Sequence, residues 1–234
     1  MLCAAATLSA RGPEPKLLAP LRVLVVTGGH DYPTSFYTLF ENPIEFEWDH
    51  AISNHAAFRS DIRGKYDVLV LYDLSLEISE AEKKNLTDFV MSGKGIVALH
   101  HAIIDYPAWE WWWRDVVGGK FFSKPEGAVP ASTFEHDQDI SVEPVGNHPI
   151  LTGISAMRIN DETYKGMWIS PKVQVILKTD NPTADGPLAW VSPFNESRVV
   201  YIELGHGELA HRHAGYRRLV HNAILWSGKR LDKE

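Results

Sequence analysis

The sequence predicts an α/β protein built on a doubly wound, mostly parallel central sheet, with helices on both faces and extra β segments in its C-terminal half. Three observations carry this. Residues 21–27, 67–73 and 95–100 are apolar, β-branched runs of the kind that a parallel sheet buries on both faces. A single capped helix separates the second run from the third, and a strand–helix–strand order forces those two strands into parallel pairing. From about residue 138 the runs become shorter and alternate, as in strands joined by turns.

Taken in order, Met1 to Ala10 has the small apolar character of a leader remnant but lacks a basic start, and residues 11–20, with Pro13, Pro15 and Pro20, form an extended lead-in. The expected domain is therefore 21–228, with 229–234 as a tail, and a cytoplasmic or a periplasmic location stays open. The strand over 21–27 closes on Gly28-Gly29-His30-Asp31. This tight turn either lets the backbone pass close to a ligand or is a plain turn. The G-x-G-x-x-G spacing is absent, so no nucleotide cofactor is expected.

Residues 44–48 alternate and read as a strand towards an edge. Ser79-Glu80-Ala81-Glu82 is a capping box, opening a helix that runs through Leu86, Phe89 and Val90 to Gly93. Pro107 opens a further helix over 109–117. Trp109, Trp112, Trp113 and Val116 share one face of it and Trp111 points away, the better candidate for an exposed ring on which a sugar stacks. Residues 120–136 read as a long loop; Glu135, His136 and Asp137 are site candidates there, although a solvated loop is the simpler reading of each. Strands over 140–145, 156–160, 173–179, 188–192 and 198–204 follow, then a helix over 214–226.

The chain has 234 residues, 44% hydrophobic and 23% charged, enough to bury a real core. A net charge of −7 and a pI of about 5.9 argue against nucleic acid or an anionic membrane as partner. The basic cluster His211-Arg212-His213 with Arg217 and Arg218 reads as a solvated helix face. Cys3 is the only cysteine, which excludes an internal disulfide and a Cys-based metal site. No apolar run approaches the roughly 20 residues of a membrane span.

The chemistry-bearing residues gather where predicted strands end: His30 and Asp31, Asp73, His100 and His101, Asp161 and Glu162, and His206. In a parallel sheet such ends share one rim and can meet in one crevice. Neighbouring strand residues face opposite sides, so one of His100 and His101 should face the crevice, with His101 the expectation, and likewise one of Asp161 and Glu162.

Thr27-Gly28-Gly29-His30-Asp31-Tyr32, Gly95-Ile96-Val97-Ala98-Leu99-His100-His101-Ala102, Gly118-Gly119-Lys120-Phe121, His148-Pro149-Ile150, Asp161-Glu162-Thr163-Tyr164 and Gly205-His206-Gly207 together resemble the ThuA-like family, of the trehalose-utilisation type, over residues 21–228. The resemblance implies a fold similar to class I glutamine amidotransferases, which is flavodoxin-like, and a link to bacterial sugar breakdown through 3-keto glycosides. Those amidotransferases carry a cysteine nucleophile at the strand-to-helix elbow, where this chain reads Leu99-His100-His101-Ala102. The fold can be shared, but not the cysteine-dependent reaction.

For a keto-sugar, the C–H beside the ketone is acidified, which suits His101 as base, Glu162 as acid or base and Tyr164 as oxyanion partner, with His100 beside them. Gly29, His30, Asp31, Asp73, Trp111 and His206 are the expected substrate contacts. A divalent metal, Zn²⁺ or Mn²⁺, held by His30, His101, Asp161 and His206 would polarise the same carbonyl. The leading expectation is an enzyme acting on a glycoside or 3-keto-glycoside derivative, as a lyase, hydrolase or isomerase, by acid–base chemistry that a metal could assist. A carbohydrate-binding or regulatory module is the alternative, and a metallohydrolase the third. The expected partner is a small sugar, with no nucleic acid and no membrane; homo-oligomerisation is left open.

Overall fold

A computed structural model describes residues 18–232. The leader-like stretch and most of the lead-in lie outside the described residues. Among the described residues, eleven strands run in chain order as β1 (Leu21–Gly28), β2 (Phe46–Ala51), β3 (Val68–Asp73), β4 (Gly95–Leu99), β5 (Gly119–Lys120), β6 (Thr133–Pro144), β7 (Met157–Lys165), β8 (Trp168–Ile169), β9 (Gln174–Lys178), β10 (Pro187–Val191) and β11 (Val199–Ile202). The α-helices are α1 (Asn54–Phe58), α2 (Glu80–Met91), α3 (Glu208–Arg212) and α4 (Ala214–Ser227). Nine strands form one sheet in the order β2-β1-β3-β4-β11-β10-β9-β6-β7, and β5 pairs with β8 apart from it.

The α/β class is as expected, but the sheet is mixed. Pairings from β2 to β11 are parallel, and those from β11 through β10, β9 and β6 to β7 are antiparallel. The parallel half follows from its sequence. Strands β3, β4 and β11 are buried at every position and β1 at most of them, so successive side chains feed both faces, while β2 lies at the wetter edge. Val23, Val25, Val68, Val70, Val97 and Leu99 pack on one side with Leu219, Val220, Ala223 and Ile224 of α4. Leu24, Val26, Leu69, Leu71, Ile96 and Ala98 pack on the other with Phe58 of α1 and Leu86, Phe89 and Val90 of α2. Each fully buried aliphatic or aromatic side chain contributes roughly 1.5–3 kcal/mol relative to exposure, and two such layers hold the parallel half.

The capping box stands as read. The Ser79 hydroxyl accepts from the Glu82 amide and the Glu82 carboxylate accepts from the Ser79 amide, while Gly93 leaves the helix at φ +79°. Four local expectations are corrected. Residues Trp112–Val117 wind as a π-helix that buries Trp112 and Val116, and Trp111 is half-buried against Trp109 and Phe194 rather than exposed. Strand β6 already begins at Thr133, so Glu135, His136 and Asp137 lie in a strand, not a loop; its first half is polar and exposed and gives no apolar signal. Strand β7 extends to Lys165 and therefore contains Asp161, Glu162 and Tyr164 instead of ending before them. His211 is fully buried, its ring bonded to Ser35 and to the Gly205 carbonyl, so it is not part of a solvated basic face.

Candidate active site at the carboxyl ends of β4 and β11

The apolar strand β4 stops at His100, which takes φ +47°, a left-handed conformation that is unusual for a side-chain-bearing residue and is held only where its surroundings fix it. Two bonds do so. The Nδ1 of His100 faces the Glu203 carbonyl, and the Tyr201 hydroxyl donates to the His100 carbonyl at 3.2 Å. The sharp turn frees His100 and His101 from strand alternation, so both imidazoles reach the same cluster: His100 is wholly buried beneath it and His101 lines the cavity above.

The third and fourth members come from elsewhere in the chain. β6 and β7 form an antiparallel arm that returns over the end of β11. Asp161 locks this return, its carboxylate accepting from the amides of Gly205 at 2.6 Å, His206 at 2.9 Å and Glu162 at 3.0 Å. Gly205 sits at φ +119°, where a Cβ would lie 2.1 Å from the Tyr216 hydroxyl, so only glycine passes there. Glu162 and His206 are thereby brought against His100. The His100 Nε2 is 2.8 Å from the Glu162 Oε2, 3.1 Å from the His206 Nδ1 and 3.0 Å from the Tyr164 hydroxyl. The His206 Nδ1 is 3.3 Å from the same Glu162 oxygen. One donor atom each from His100, His101, Glu162 and His206 lies within 4.8 Å of all the others, so these four residues could hold a metal ion.

Electrostatics follow from this packing. Burial raises the Glu162 pKa, but its bonds to His100 and His206 outweigh that and hold the carboxyl below the usual range. The same bond raises the pKa of His206 against the effect of burial. His101 is pushed far down by burial, then by the neighbouring His100 and His30, and stays neutral. Burial, then Glu162, drives the Tyr164 hydroxyl well above its ordinary value.

Above the cluster lies a cavity of about 370 Å³, in the lower range of small-molecule sites. Leu74, Ile104, Phe121, Phe134 and Tyr164 give it apolar walls, and His101, His136, Glu162 and His206 its polar end. A wider cleft beside α4 carries arginines, but Arg212 and Arg217 there already pair with Glu208 and Glu41.

Comparison with known proteins agrees with the fold. The family model ThuA, described as trehalose utilisation, matches residues 22–227. The chain belongs to the ThuA family. A ThuA-like protein from Parabacteroides merdae superposes with a TM-score of 0.76 at 16% identity, covering 92% of this chain and 93% of that one. A ThuA-like protein from Bacteroides uniformis gives 0.70 at 18%, covering 92% and 94%. A β-galactosidase from Rahnella sp. R3 gives 0.60 at 15%, over 90% of this chain and 31% of that much longer one. At these identities the likeness is one of fold. No functionally curated protein matches the chain in sequence.

Within this ThuA-family chain, the sequence-derived residues divide clearly. His100, His101, Glu162, Tyr164 and His206 meet. His30 stands beside them, its ring 4.1 Å from that of His101, but its two nitrogens face the carbonyls of Asp31 and Tyr72, and it is not among the residues whose donor atoms cluster. Asp161, whose carboxylate accepts from three amides, likewise lies outside the cluster. The four clustered residues share His101 and His206 with the metal set expected from the sequence and include His100 and Glu162 beside them. Gly29 packs on the Leu74 backbone, Asp31 is exposed, Asp73 is buried against Ser75, and Trp111 lies outside the cavity. The sequence reading left out Phe121 and Phe134 and did not commit to His136, whose Nδ1 is 3.2 Å from the Glu162 Oε1. A β-bulge between Glu135 and Gln138, with Asp137 at φ +56°, turns His136 inward.

Proposed function

We propose that this ThuA-family chain is a sugar-catabolic enzyme that acts on a glycoside or 3-keto-glycoside derivative in the cavity above His101, on a variant of the doubly wound fold. One observation carries the reading: a single cavity joins apolar, partly aromatic walls to a compact histidine–carboxylate end. A sugar ring has C–H faces that pack on rings such as Phe121 and Phe134, and oxygens at its rim that need polar partners. The family's description supplies the substrate class.

The polar end fits acid–base work. Neutral His101 keeps a lone pair at neutral pH, as proton removal beside a ketone requires. Tyr164 keeps its proton and can donate a hydrogen bond to an oxygen on which charge develops. Glu162 and His206 form an ion pair that can exchange a proton at the cavity floor. The position where glutamine amidotransferases carry their cysteine is an imidazole here, so thioester chemistry has no nucleophile at this elbow.

The test uses glucosides and disaccharides oxidised at C3, with product followed by mass spectrometry. Glu162→Gln and His101→Ala should each lower turnover by at least about 100-fold while circular dichroism stays unchanged. Full turnover in either variant, or tight sugar binding by the parent with no product, overturns the proposal.

A further inference from the structure

Three polar atoms crowd round the His100 Nε2: the Glu162 Oε2 at 2.8 Å, the Tyr164 hydroxyl at 3.0 Å and the His206 Nδ1 at 3.1 Å. The Glu203 carbonyl can only accept, so the hydrogen of a neutral His100 ring resides on Nδ1, and Nε2 presents its lone pair to the cluster. Tyr164 can satisfy that lone pair, and a hydrogen on the His206 Nδ1 can satisfy Glu162. The Glu162 Oε2, 2.8 Å from the His100 Nε2, then faces a second acceptor unless that nitrogen carries a further proton or the two atoms share a cation. In addition, the Nδ1 of His101 is buried without a hydrogen-bond partner. A buried polar atom without a partner carries a desolvation cost, which a cation bound by the cluster removes.

We infer that His100, His101, Glu162 and His206 bind one divalent transition-metal ion at the floor of the cavity. The spacings fit. Donors about 2.0–2.2 Å from a common ion lie roughly 3.0–3.4 Å from their neighbours and up to about 4.2 Å across it. The observed separations of 2.8, 3.1 and 3.3 Å, within a cluster spanning 4.8 Å, need only small side-chain adjustments to match. Three imidazoles and one carboxylate suit Zn²⁺ or Mn²⁺ and are poor partners for Mg²⁺ or Ca²⁺, which require mostly oxygen. The surroundings are those of a metal site. His100 is oriented by the Glu203 carbonyl behind it, and Asp161 fixes the backbone of both Glu162 and His206. The cavity leaves the ion's remaining positions open to a substrate oxygen. With four donors on the ion, the lone pairs of His101, Glu162 and His206 are no longer free for the proton transfers given to them in the metal-free reading, and Tyr164 and His136 are the protic side chains left beside the substrate.

The ion deepens the reading of this cavity as the active site, but its binding can be measured without substrate. The full chain, stripped with chelator and returned to chelator-free buffer, is titrated calorimetrically with ZnCl₂, MnCl₂ and MgCl₂. One Zn²⁺ or Mn²⁺ per chain should bind at least about 100-fold more tightly than Mg²⁺. Co²⁺ should give visible absorption of a histidine-ligated site. Glu162→Gln, nearly isosteric, and His206→Ala, at a half-exposed position, should each weaken binding by about 100-fold or more and abolish the Co²⁺ bands. His213→Ala, away from the cluster, should change nothing. Absence of saturable binding of one ion per chain, or a Glu162→Gln chain that binds as tightly as the parent, overturns the inference. Sugar turnover that survives complete chelation overturns the ion alone, and tight ion binding without turnover overturns only the enzymatic reading.

Discussion

Asp73 ends β3 fully buried, its carboxyl accepting from the Ser75 hydroxyl at 2.5 Å, with the equally buried carboxyl of Asp105 as its neighbour. Burial lifts the Asp73 pKa to about 6 and pushes Asp105 well above the carboxylate range, so the pair retains a proton where free carboxyls have lost theirs. In the unfolded chain Asp73 ionises near 3.8, so between that pH and about 6 the folded state binds more protons than the unfolded one. Stability therefore falls as pH rises through this window, by up to about 3 kcal/mol from Asp73. Asp73→Asn should flatten that slope and leave the chain more stable than the parent at pH 8, as read by urea denaturation at several pH values. An unchanged slope would show that the proton is held elsewhere. At this same scale the site is half legible. His100, His101 and His206 stand out because each interrupts or follows an apolar strand, a local signal. Asp161 carries the same signal, yet its carboxylate is taken by amides of a loop far along the chain, and nothing local distinguishes a ligand from a clamp. His136 is hidden for a related reason: its inward turn depends on a bulge set by pairing with β7.

Among the elements, the turn after β11 makes the tightest demand on sequence. Gly205 must pass over Tyr216 at a φ that other residues avoid, and its carbonyl accepts from the Tyr72 hydroxyl at 2.8 Å. Gly205→Ala should destabilise the fold by more than about 1 kcal/mol, because both the conformation and the contact are incompatible with a Cβ. It should also displace His206 and lower turnover further than the stability loss accounts for. Thermal unfolding together with steady-state kinetics separates the two effects, and a variant with native activity would show that the turn tolerates a shift. The strands of the parallel half and helices α2 and α4 are legible because burial on both faces demands unbroken apolar runs and each helix carries its own start or stop signal. The outer part of β6 and the end of β7 are not, although the inner part of β6 is. The outer part of β6 is solvated and polar, and its extended form is imposed by the partner strand rather than by its own residues.

At the scale of the whole molecule, the site lies on a seam. His100 and His101 belong to the end of β4 and His206 follows β11, all anchored in the doubly packed parallel half, whereas Glu162, Tyr164 and His136 belong to the β6–β7 arm. The inner part of the arm is tied into the core by Ile140, Val142 and Ile159 and by the pairing of Glu143 and Pro144 with β9, whereas its outer part, residues 133–139, is largely exposed and held by its ladder to β7. Regions with fewer buried contacts open at lower free energy, so amides in residues 133–139 should exchange with deuterium well before those of β1, β3 and β4. A ligand that touches both sides of the seam must couple them, since it binds the closed arrangement and not the open one. Saturating Zn²⁺ or sugar should therefore slow exchange in the arm, by up to the factor 1 + [L]/Kd, and leave the core strands of the parallel half nearly unchanged wherever they open independently of the site. Hydrogen exchange read by mass spectrometry, with and without ligand, measures this directly. Protection confined to the parallel half would place the ligand away from Glu162, and equal exchange in both states would show that the arm does not take part in binding.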